Sequence, residues 1–226
     1  RVNKMIYGFG ASPEVFWSYD LKKNKSKFIA HIGSGMEFAQ AHNPVIDDQG
    51  RIWGTYGILR AFAYSTGPDS IRLFCYDPGN DSMEFFKYGL PKENYEDKAR
   101  PDTSYNGGDG YIYFGTEAGT LARLDPKSGE VKKLCRPAAN RRLAGLARSK
   151  KDGLLYGTCG EGYRTELFAY DTEKEKLIGK KQIINAETGE KPVRIHHLVI
   201  TDDGVIYAGE NDNRDRPGYL WECILE

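Results

Sequence analysis

A short aromatic strand that ends in glycine occurs five times along this chain, at intervals of 43 to 60 residues. The five copies are Ile6-Tyr7-Gly8, Ile52-Trp53-Gly54, Ile112-Tyr113-Phe114-Gly115, Leu155-Tyr156-Gly157 and Ile206-Tyr207-Ala208-Gly209. A repeat of this length is typical of stacked-unit folds, because one small unit cannot bury its hydrophobic surface until neighbouring units cover it.

Each copy lies within a predicted unit of short antiparallel strands, which we label A to D, and forms strand B. Four copies follow an acidic turn with a closing glycine: Asp48-Gln49-Gly50, Asp109-Gly110, Asp152-Gly153 and Asp202-Asp203-Gly204. Turns of this composition join antiparallel strands. Strand C of four units ends in an aspartate that we interpret as the cap of the next turn: Asp20, Asp77, Asp125 and Asp171. We interpret the repeated aromatic side chains as packing between units.

Four-stranded antiparallel units at this spacing predict the blades of a β-propeller. A helical fold is disfavoured, because few windows have helical spacing of apolar residues. We therefore predict an all-β chain with a single propeller domain of about four and a half blades. The predicted blades are 1–33, 34–90, 91–137, 138–184 and 185–226, with three, four, four, four and three strands. We expect the C-terminal part of a six- to eight-bladed ring, whose missing blades lie in a longer parent chain.

The composition excludes several classes of partner. The chain has 226 residues, and its 32 Lys and Arg residues balance its 32 Asp and Glu residues. Without a net charge or a long basic run, we expect no nucleic-acid partner and no attraction to an acidic membrane surface. No apolar run reaches 18 residues, so we expect no membrane span. The 4 cysteines form no C-x-x-C pair, which favours buried free thiols, although one disulfide stays open.

Propeller geometry predicts where a site would lie. Strand A lines the central channel, and the D–A and B–C connections share one rim, where long loops carry function. When the units are aligned on the turn glycine, His42 and His196 occupy the same position, eight residues before that glycine. Asp102 and Gly145 hold this position in the other two units. The candidate catalytic residues are His42, His196, His197, Tyr163 and Tyr105.

Polar residues of the same rim are candidates for substrate binding. They are Arg194, Arg164, Arg60, Tyr56, Glu210, Asn211, Asn213 and Arg214. Cationic, imidazole and phenol groups that converge on one concavity are typical of a site for a small polar ligand. The run from Glu210 to Asn213 is rich in oxygen, but it lacks the spacing of a calcium loop. We therefore predict no metal site and leave the cofactor open. Each strand-A histidine can equally hydrogen-bond a backbone carbonyl in a water-filled channel.

Two stretches carry a resemblance to known proteins. The motifs D-G-x-I-Y-x-G and L-x-x-L-D-P-x-S-G-E-V, between Asp109 and Val131, resemble the repeats of many bacterial propellers. The stretch from His196 to Glu222 resembles seven-bladed propellers of polysaccharide breakdown, either ulvan-lyase-like or rhamnosidase-like. This resemblance implies a lyase or glycosidase that acts on an acidic, uronate-containing polysaccharide. It also implies a periplasmic or secreted location, which the sequence itself leaves open.

A lyase of that kind removes the proton α to the uronate carboxylate and expels the 4-linked sugar. An arginine, Arg194 or Arg164, would neutralise the carboxylate. A histidine, His196 or His42, would be the base, and Tyr163 or Tyr105 would be the acid. We then expect His42→Ala and His196→Ala each to abolish cleavage. The alternative is a non-catalytic propeller whose rim binds a ligand or a protein.

Overall fold

The structure is a computed structural model that describes residues 4–10, 14–33, 43–57, 71–139 and 141–224. Within these ranges it contains 18 β-strands and no helix, and hence no helix suited to crossing a membrane. The strands form five antiparallel sheets of three, four, four, four and three strands. The predicted all-β propeller fold with four-stranded blades is therefore confirmed, and we number the sheets as blades one to five.

The chain divides into two compact units. Residues 1–100 form the first unit, with blades one and two. Blade one contains β1 (Met5–Gly10), β2 (Val15–Asp20) and β3 (Lys25–His31). Blade two contains β4 (Val45–Ile46), β5 (Ile52–Gly57), β6 (Ile71–Asp77) and β7 (Ser82–Phe85).

Residues 101–226 form the second unit, with blades three, four and five. Blade three contains β8 (Pro101–Asn106), β9 (Ile112–Thr116), β10 (Leu121–Leu124) and β11 (Val131–Cys135). Blade four contains β12 (Leu143–Arg148), β13 (Leu155–Cys159), β14 (Glu166–Asp171) and β15 (Lys176–Gln182). Blade five contains β16 (Ile195–Ile200), β17 (Ile206–Glu210) and β18 (Leu220–Cys223). In every four-stranded blade, strand D lies at one edge of the sheet, and it is mostly exposed in blades two and four.

The repeated aromatic of strand B packs against the next blade in blades three and four, as predicted. In the second unit, Tyr113 of blade three lies in one core cluster with Leu146 of blade four. Tyr156 of blade four lies in a second cluster with Leu198 of blade five. Burial of a large apolar side chain stabilises a fold by about 1.5–3 kcal/mol, so these aromatics join the neighbouring blades.

The same aromatics also hold the hairpin that precedes them. The hydroxyl of Tyr113 donates to Oδ2 of Asp109 at 2.8 Å, and that of Tyr156 donates to Oδ2 of Asp152 at 2.7 Å. Burial, and then the bond to the aspartate, raises the pKa of both phenols well above its usual value. One side chain thus packs between blades and fixes the A–B turn.

The aspartates that end strand C cap the following turn, as the sequence predicts. One carboxylate oxygen of each accepts a backbone N–H from two residues further along, at 2.8 to 3.0 Å. The pairs are Asp20 with Lys22, Asp77 with Gly79, Asp125 with Lys127 and Asp171 with Glu173. Aspartate suits this position because its short side chain can bond its own backbone two residues on.

Strand A of blades three, four and five contains an irregularity near its start. The antiparallel register skips one residue there, and the skipped residues are Asp102, Ala144 and His196. The predicted alignment is therefore correct for Asp102 and His196 but wrong for Gly145. The alignment fails at Gly145 because the A–B turn of blade four is one residue longer than those of blades three and five. In blade four the equivalent residue therefore lies nine, not eight, positions before the turn glycine.

Candidate functional site

Concave surfaces lie beside the loops of blades four and five, and two of them carry residues predicted for the site. The first, the aromatic groove, has a volume of about 410 Å³ and is lined by Tyr163, Gly189, Glu190, Lys191, Asn213, Asp215 and Arg216. The second, the ionic groove, has a volume of about 620 Å³ and is lined by Glu161, Gly162, Val193, Arg194, Asp212, Asn213 and Arg214. The two grooves share Asn213.

Glu210, the last residue of β17, organises the loops around both grooves. Its side chain is fully buried, with 0% of its surface exposed. Its carboxylate accepts five hydrogen bonds. Oε1 accepts from the backbone N of Val193 at 2.9 Å and from Nδ2 of Asn213 at 3.1 Å. Oε2 accepts from Nη1 of Arg216 at 2.8 Å, from the backbone N of Tyr219 at 3.1 Å and from Nε1 of Trp221 at 3.1 Å. One carboxylate therefore ties the D–A connection, the B–C loop and strand C together.

The protonation state of Glu210 follows from these bonds. Burial alone would raise the pKa of its carboxyl, but Arg216 and the surrounding N–H donors lower it to about 2. A carboxylate that accepts several N–H bonds is stabilised in its charged form. Glu210 is predicted from the sequence to bind substrate directly. The structure instead places its carboxylate inside the loops, where its hydrogen bonds are made to the protein.

Arg216 completes this network, although it is not among the residues predicted for the site. Its Nη1 donates to Glu210 and, at 3.0 Å, to the Pro217 carbonyl, while its Nε lies 3.5 Å from Oε1 of Glu190. Its guanidinium carbon also lies 3.5 Å from the centroid of the Tyr219 ring. Stacking on an aromatic face and pairing with carboxylates together hold the guanidinium in one orientation.

Arg194, a predicted ligand-binding residue, does line the ionic groove. It lies between two carboxylates: Nη2 donates to Oε2 of Glu161 at 2.7 Å, and Nη1 donates to Oδ2 of Asp212 at 2.8 Å. Burial alone would lower the pKa of Arg194, but Glu161 and Asp212 raise it above its usual value. Its positive charge is thus matched within the protein, and the three groups form a fixed row of donors and acceptors.

Tyr163, a predicted acid, lines the aromatic groove and is held at both ends. Its hydroxyl donates to Oδ2 of Asp215 at 2.9 Å, and its carbonyl accepts from Nε2 of Gln182 at 2.6 Å. The bond to Asp215 raises the pKa of the phenol above its usual value. The backbone has a φ of 65°, and 47% of the residue is exposed. The loop therefore presents the ring to solvent in a restrained position.

Three of the four remaining predicted loop residues lie at or near the ionic groove. Asn213 caps its own turn, because its Oδ1 accepts from the backbone N of Asp215 at 3.0 Å and of Arg216 at 3.3 Å. Arg214 lines the groove and makes no ion pair with another described residue. Asn211 precedes these residues, and its Oδ1 is buried without a hydrogen-bond partner among the described residues.

The fourth, Arg164, is exposed at the end of the B–C loop of blade four and lines neither groove. The predicted histidines lie elsewhere too. His196 and His197 are exposed on β16, and neither lines a groove. His42 and Arg60 lie outside the described residues.

The two other predicted tyrosines serve packing. Tyr105 pairs with Tyr113 across β8 and β9, beside the A–B turn, and contacts both core clusters of the second unit. Tyr56 lies in the first unit, where its hydroxyl donates to the Phe86 carbonyl at 2.8 Å and its ring meets Phe85 edge-on.

No group of three or more His, Cys, Asp or Glu side chains in the described residues could hold a metal ion. All four cysteines are free thiols, and two of them, Cys75 and Cys159, are buried.

The two grooves are lined by charged side chains that are hydrogen-bonded to one another, by one exposed aromatic ring, that of Tyr163, and by the side chain of Asn213, which is held in place. Such groups can orient a polar ligand by hydrogen bonds.

Comparisons with known proteins bear on the fold. No protein-family model matches the chain, and no curated protein matches it either. It is similar in structure to two solved extracellular domains of BT4673 from B. thetaiotaomicron, described as a putative one component system and a putative hybrid two component system. The TM-score is 0.67 for both, at 15% and 16% identity. A chain of the mitotic checkpoint complex matches with a TM-score of 0.59 at 9% identity.

The coverage of these matches is unequal. The alignments include 96% of this chain but only 26% of each BT4673 chain, and 91% of this chain against 55% of the mitotic checkpoint chain. This chain thus spans about a quarter of the length of the BT4673 domains. At such low identity the likeness establishes a shared fold, in agreement with the predicted propeller, and nothing about chemistry.

Proposed function

We propose that this chain is a ligand-binding propeller whose two grooves recognise a saccharide without converting it. The observation that carries the proposal is the internal pairing of the charged groups. Arg194 is bonded to Glu161 and Asp212, and Arg216 to Glu210 and Glu190. Groups that are fixed in this way are preorganised for recognition, whereas general acid–base catalysis needs a group free to exchange a proton with the substrate.

A hydroxyl-rich ligand fits these linings best. Each groove is lined by two acidic and two basic residues, so neither has a strong field of one sign. A sugar hydroxyl both donates and accepts, and therefore suits a row in which carboxylates and guanidinium groups alternate. The exposed ring of Tyr163 adds an apolar surface beside these polar groups. Aromatic rings with one polar end suit ligands that are partly apolar.

The structural neighbours are in keeping with a recognition role. Two of them are extracellular domains, one described as that of a putative one component system and the other as that of a putative hybrid two component system. We propose an extracytoplasmic location for this chain as well, with further blades in the parent protein. Neither nucleic acid nor a membrane is a partner in this proposal, because the chain carries 32 basic and 32 acidic residues and offers no net charge to attract them.

A uronate lyase is the second candidate. Its predicted acid, Tyr163, and its predicted neutralising cation, Arg194, line two grooves that meet at Asn213. Arg194 is already paired with two carboxylates, which weakens its attraction for a third. For this reason binding without turnover is the stronger proposal.

Calorimetry with a saccharide panel tests the choice. The full chain is titrated with gluco-, manno-, xylo- and galacturono-oligosaccharides, and each mixture is then assayed for the absorbance of unsaturated uronate and for new reducing ends. We expect binding of at least one saccharide and no product. Tyr163→Ala should weaken that binding, whereas Tyr95→Ala, which removes an aromatic ring 81% exposed in the first unit, should not. Product formation would establish an enzyme, and lack of binding across the panel would refute the proposal.

A further inference from the structure

The two grooves meet at one residue, and this arrangement restricts the size of the ligand. We infer that the aromatic groove and the ionic groove are two subsites for neighbouring units of one oligosaccharide, so that the chain recognises an oligomer and not a monosaccharide. The inference rests on the proposed function, and it adds the number of sugar units and the different tasks of the two grooves.

Asn213 is a fixed divider between the subsites. Its Nδ2 donates to the buried carboxylate of Glu210 at 3.1 Å, and its Oδ1 accepts from two backbone N–H groups. Both polar atoms of the side chain are therefore engaged on the protein side. Because these bonds hold the asparagine in place, a ligand that occupies both grooves must pass over it.

The D–A connection contributes to both subsites. Lys191 lines the aromatic groove, whereas Val193, two residues later, lines the ionic groove. The backbone N–H of Val193 is held by Oε1 of Glu210 at 2.9 Å. The same carboxylate therefore sets the position of the connection and of the divider. This shared anchor keeps the spacing between the two grooves constant, as recognition of a repeating chain requires.

The grooves differ in chemistry. The aromatic groove contains Tyr163, whose ring is exposed and restrained, so its face can receive the C–H groups of a sugar ring. The ionic groove has no aromatic lining residue; it carries the row Glu161, Arg194 and Asp212, together with Arg214. Charge-assisted hydrogen bonds of such a row are directional and distinguish one hydroxyl arrangement from another. We therefore assign stacking to the first subsite and hydroxyl recognition to the second.

Each groove is large enough to hold a whole sugar unit. The volumes are about 410 and 620 Å³. Pockets for a whole drug-sized molecule measure roughly 300–1,000 Å³. Because both grooves are open to solvent, one sugar unit in either would leave much of its surface exposed, and only a linked pair of units gains contacts in both. Linking two weak contacts through one molecule raises affinity by about 10²–10⁴-fold.

Titration with a chain-length series tests the inference. The gluco-, manno-, xylo- and galacturono-saccharides are used at one, two, three and six units. For the series that binds, we expect the dissociation constant to fall by about 10²-fold or more between one and three units and then to level off. A monosaccharide that binds as tightly as its trimer would overturn the two-subsite inference but leave the proposed function standing. Lack of binding in all four series would overturn the proposed function itself.

Two variants separate the subsites. Tyr163→Ala should weaken trimer binding about tenfold through loss of stacking. Arg194→Gln should weaken it about tenfold through loss of charged hydrogen bonds, and should also reduce discrimination between sugar epimers. In the double variant the two effects should multiply, because separate sites contribute independently. The matched controls are Tyr95→Ala and Arg148→Gln, the second of which removes an arginine paired with Asp109 near the A–B turns. A double variant no weaker than either single variant would overturn the separation into two subsites.

Discussion

Replacement of Glu210 by Gln is the sharpest test of the loop arrangement. Each of the five groups that face this side chain is a hydrogen-bond donor. A carboxylate offers acceptor sites to all of them, whereas a glutamine amide has one acceptor oxygen and an NH₂ group that donates. In Glu210→Gln the NH₂ group must therefore face N–H donors, and Arg216 loses its closer carboxylate and keeps only the longer contact with Glu190.

The loss of stability in Glu210→Gln can be calculated in two ways. The pKa of Glu210 is lowered from its usual 4.5 to about 2, which corresponds to about 3 kcal/mol in favour of the charged form. Loss of one partner from a buried ion pair costs about 3–5 kcal/mol. The second figure reflects the charge that is left without its partner. Because Arg216 keeps its contact with Glu190, the lower end of that range applies. We therefore expect Glu210→Gln to lower the free energy of unfolding by about 3 kcal/mol at pH 7.

The dependence on pH provides a second criterion. Because the folded-state pKa of Glu210 lies below the unfolded value, its contribution is fully present above pH 4.5 and is lost as the pH falls toward about 2. The variant lacks this titration. The difference in stability between the wild type and Glu210→Gln should therefore narrow as the pH is lowered through this range.

Urea denaturation of the full chain measures the difference, and hydrogen exchange locates it. The amides of Val193 and Tyr219 donate to Glu210 and should exchange faster in the variant. Glu166→Gln is the matched control, because its partner Lys180 is exposed and such pairs contribute under about 1 kcal/mol. A loss below about 1 kcal/mol for Glu210→Gln, or a difference that stays constant down to pH 3, would refute the reasoning.

Three further changes test other parts of the structure. Arg142→Gln should lower the free energy of unfolding, measured by urea denaturation, by about 3–5 kcal/mol. The reason is that Asp102, whose side chain is only 5% exposed, would lose its charged partner. A loss under about 1 kcal/mol would contradict a buried ion pair. Gly119→Ala should lower the melting temperature, since φ is +85° and a Cβ would overlap a backbone carbonyl, whereas Gly179→Ala, with nothing within 4 Å, should leave it unchanged. Burial raises the pKa of the Cys159 thiol to about 12, so it should resist an aromatic disulfide reagent at pH 8 until urea is added; rapid labelling of the native protein would show that it is accessible.

The repeat made the fold predictable, and the loops limited the prediction of the site. Residues such as Tyr113 and Asp125 recur in register because each makes contacts within its own blade or with the next one. Several of the hydrogen bonds and ion pairs of the candidate site join residues that are far apart in the sequence. Arg194 meets Glu161 across 33 residues of sequence, and no local pattern marks that pair. The sequence places Arg194, Asn213 and Arg214 in the loops that border the ionic groove, and these residues line it. It does not indicate that Glu161 and Asp212 are the partners of Arg194.

One missed signal was present in the sequence. Arg142 and Arg194 each stand directly before strand A, one residue ahead of Leu143 and Ile195. Alignment on the turn glycine hides this match, because the A–B turn of blade four is one residue longer. Alignment on the irregularity of strand A brings the two arginines into register. Arg142 pairs with Asp102 and Arg194 pairs with Glu161. An arginine that pairs with a carboxylate therefore recurs directly before strand A in blades four and five.

The outer strands of the blades have a consequence for the behaviour of the protein at high concentration. An edge strand has backbone N–H and C=O groups that could pair with another molecule. Strand D carries lysines at these edges in blades one, three and four: Lys25 and Lys27 in β3, Lys132 and Lys133 in β11, and Lys176, Lys180 and Lys181 in β15. Repulsion between ammonium groups opposes edge-to-edge association of two copies. We therefore expect a chain with acetylated lysines to aggregate more readily, as light scattering at high concentration would show.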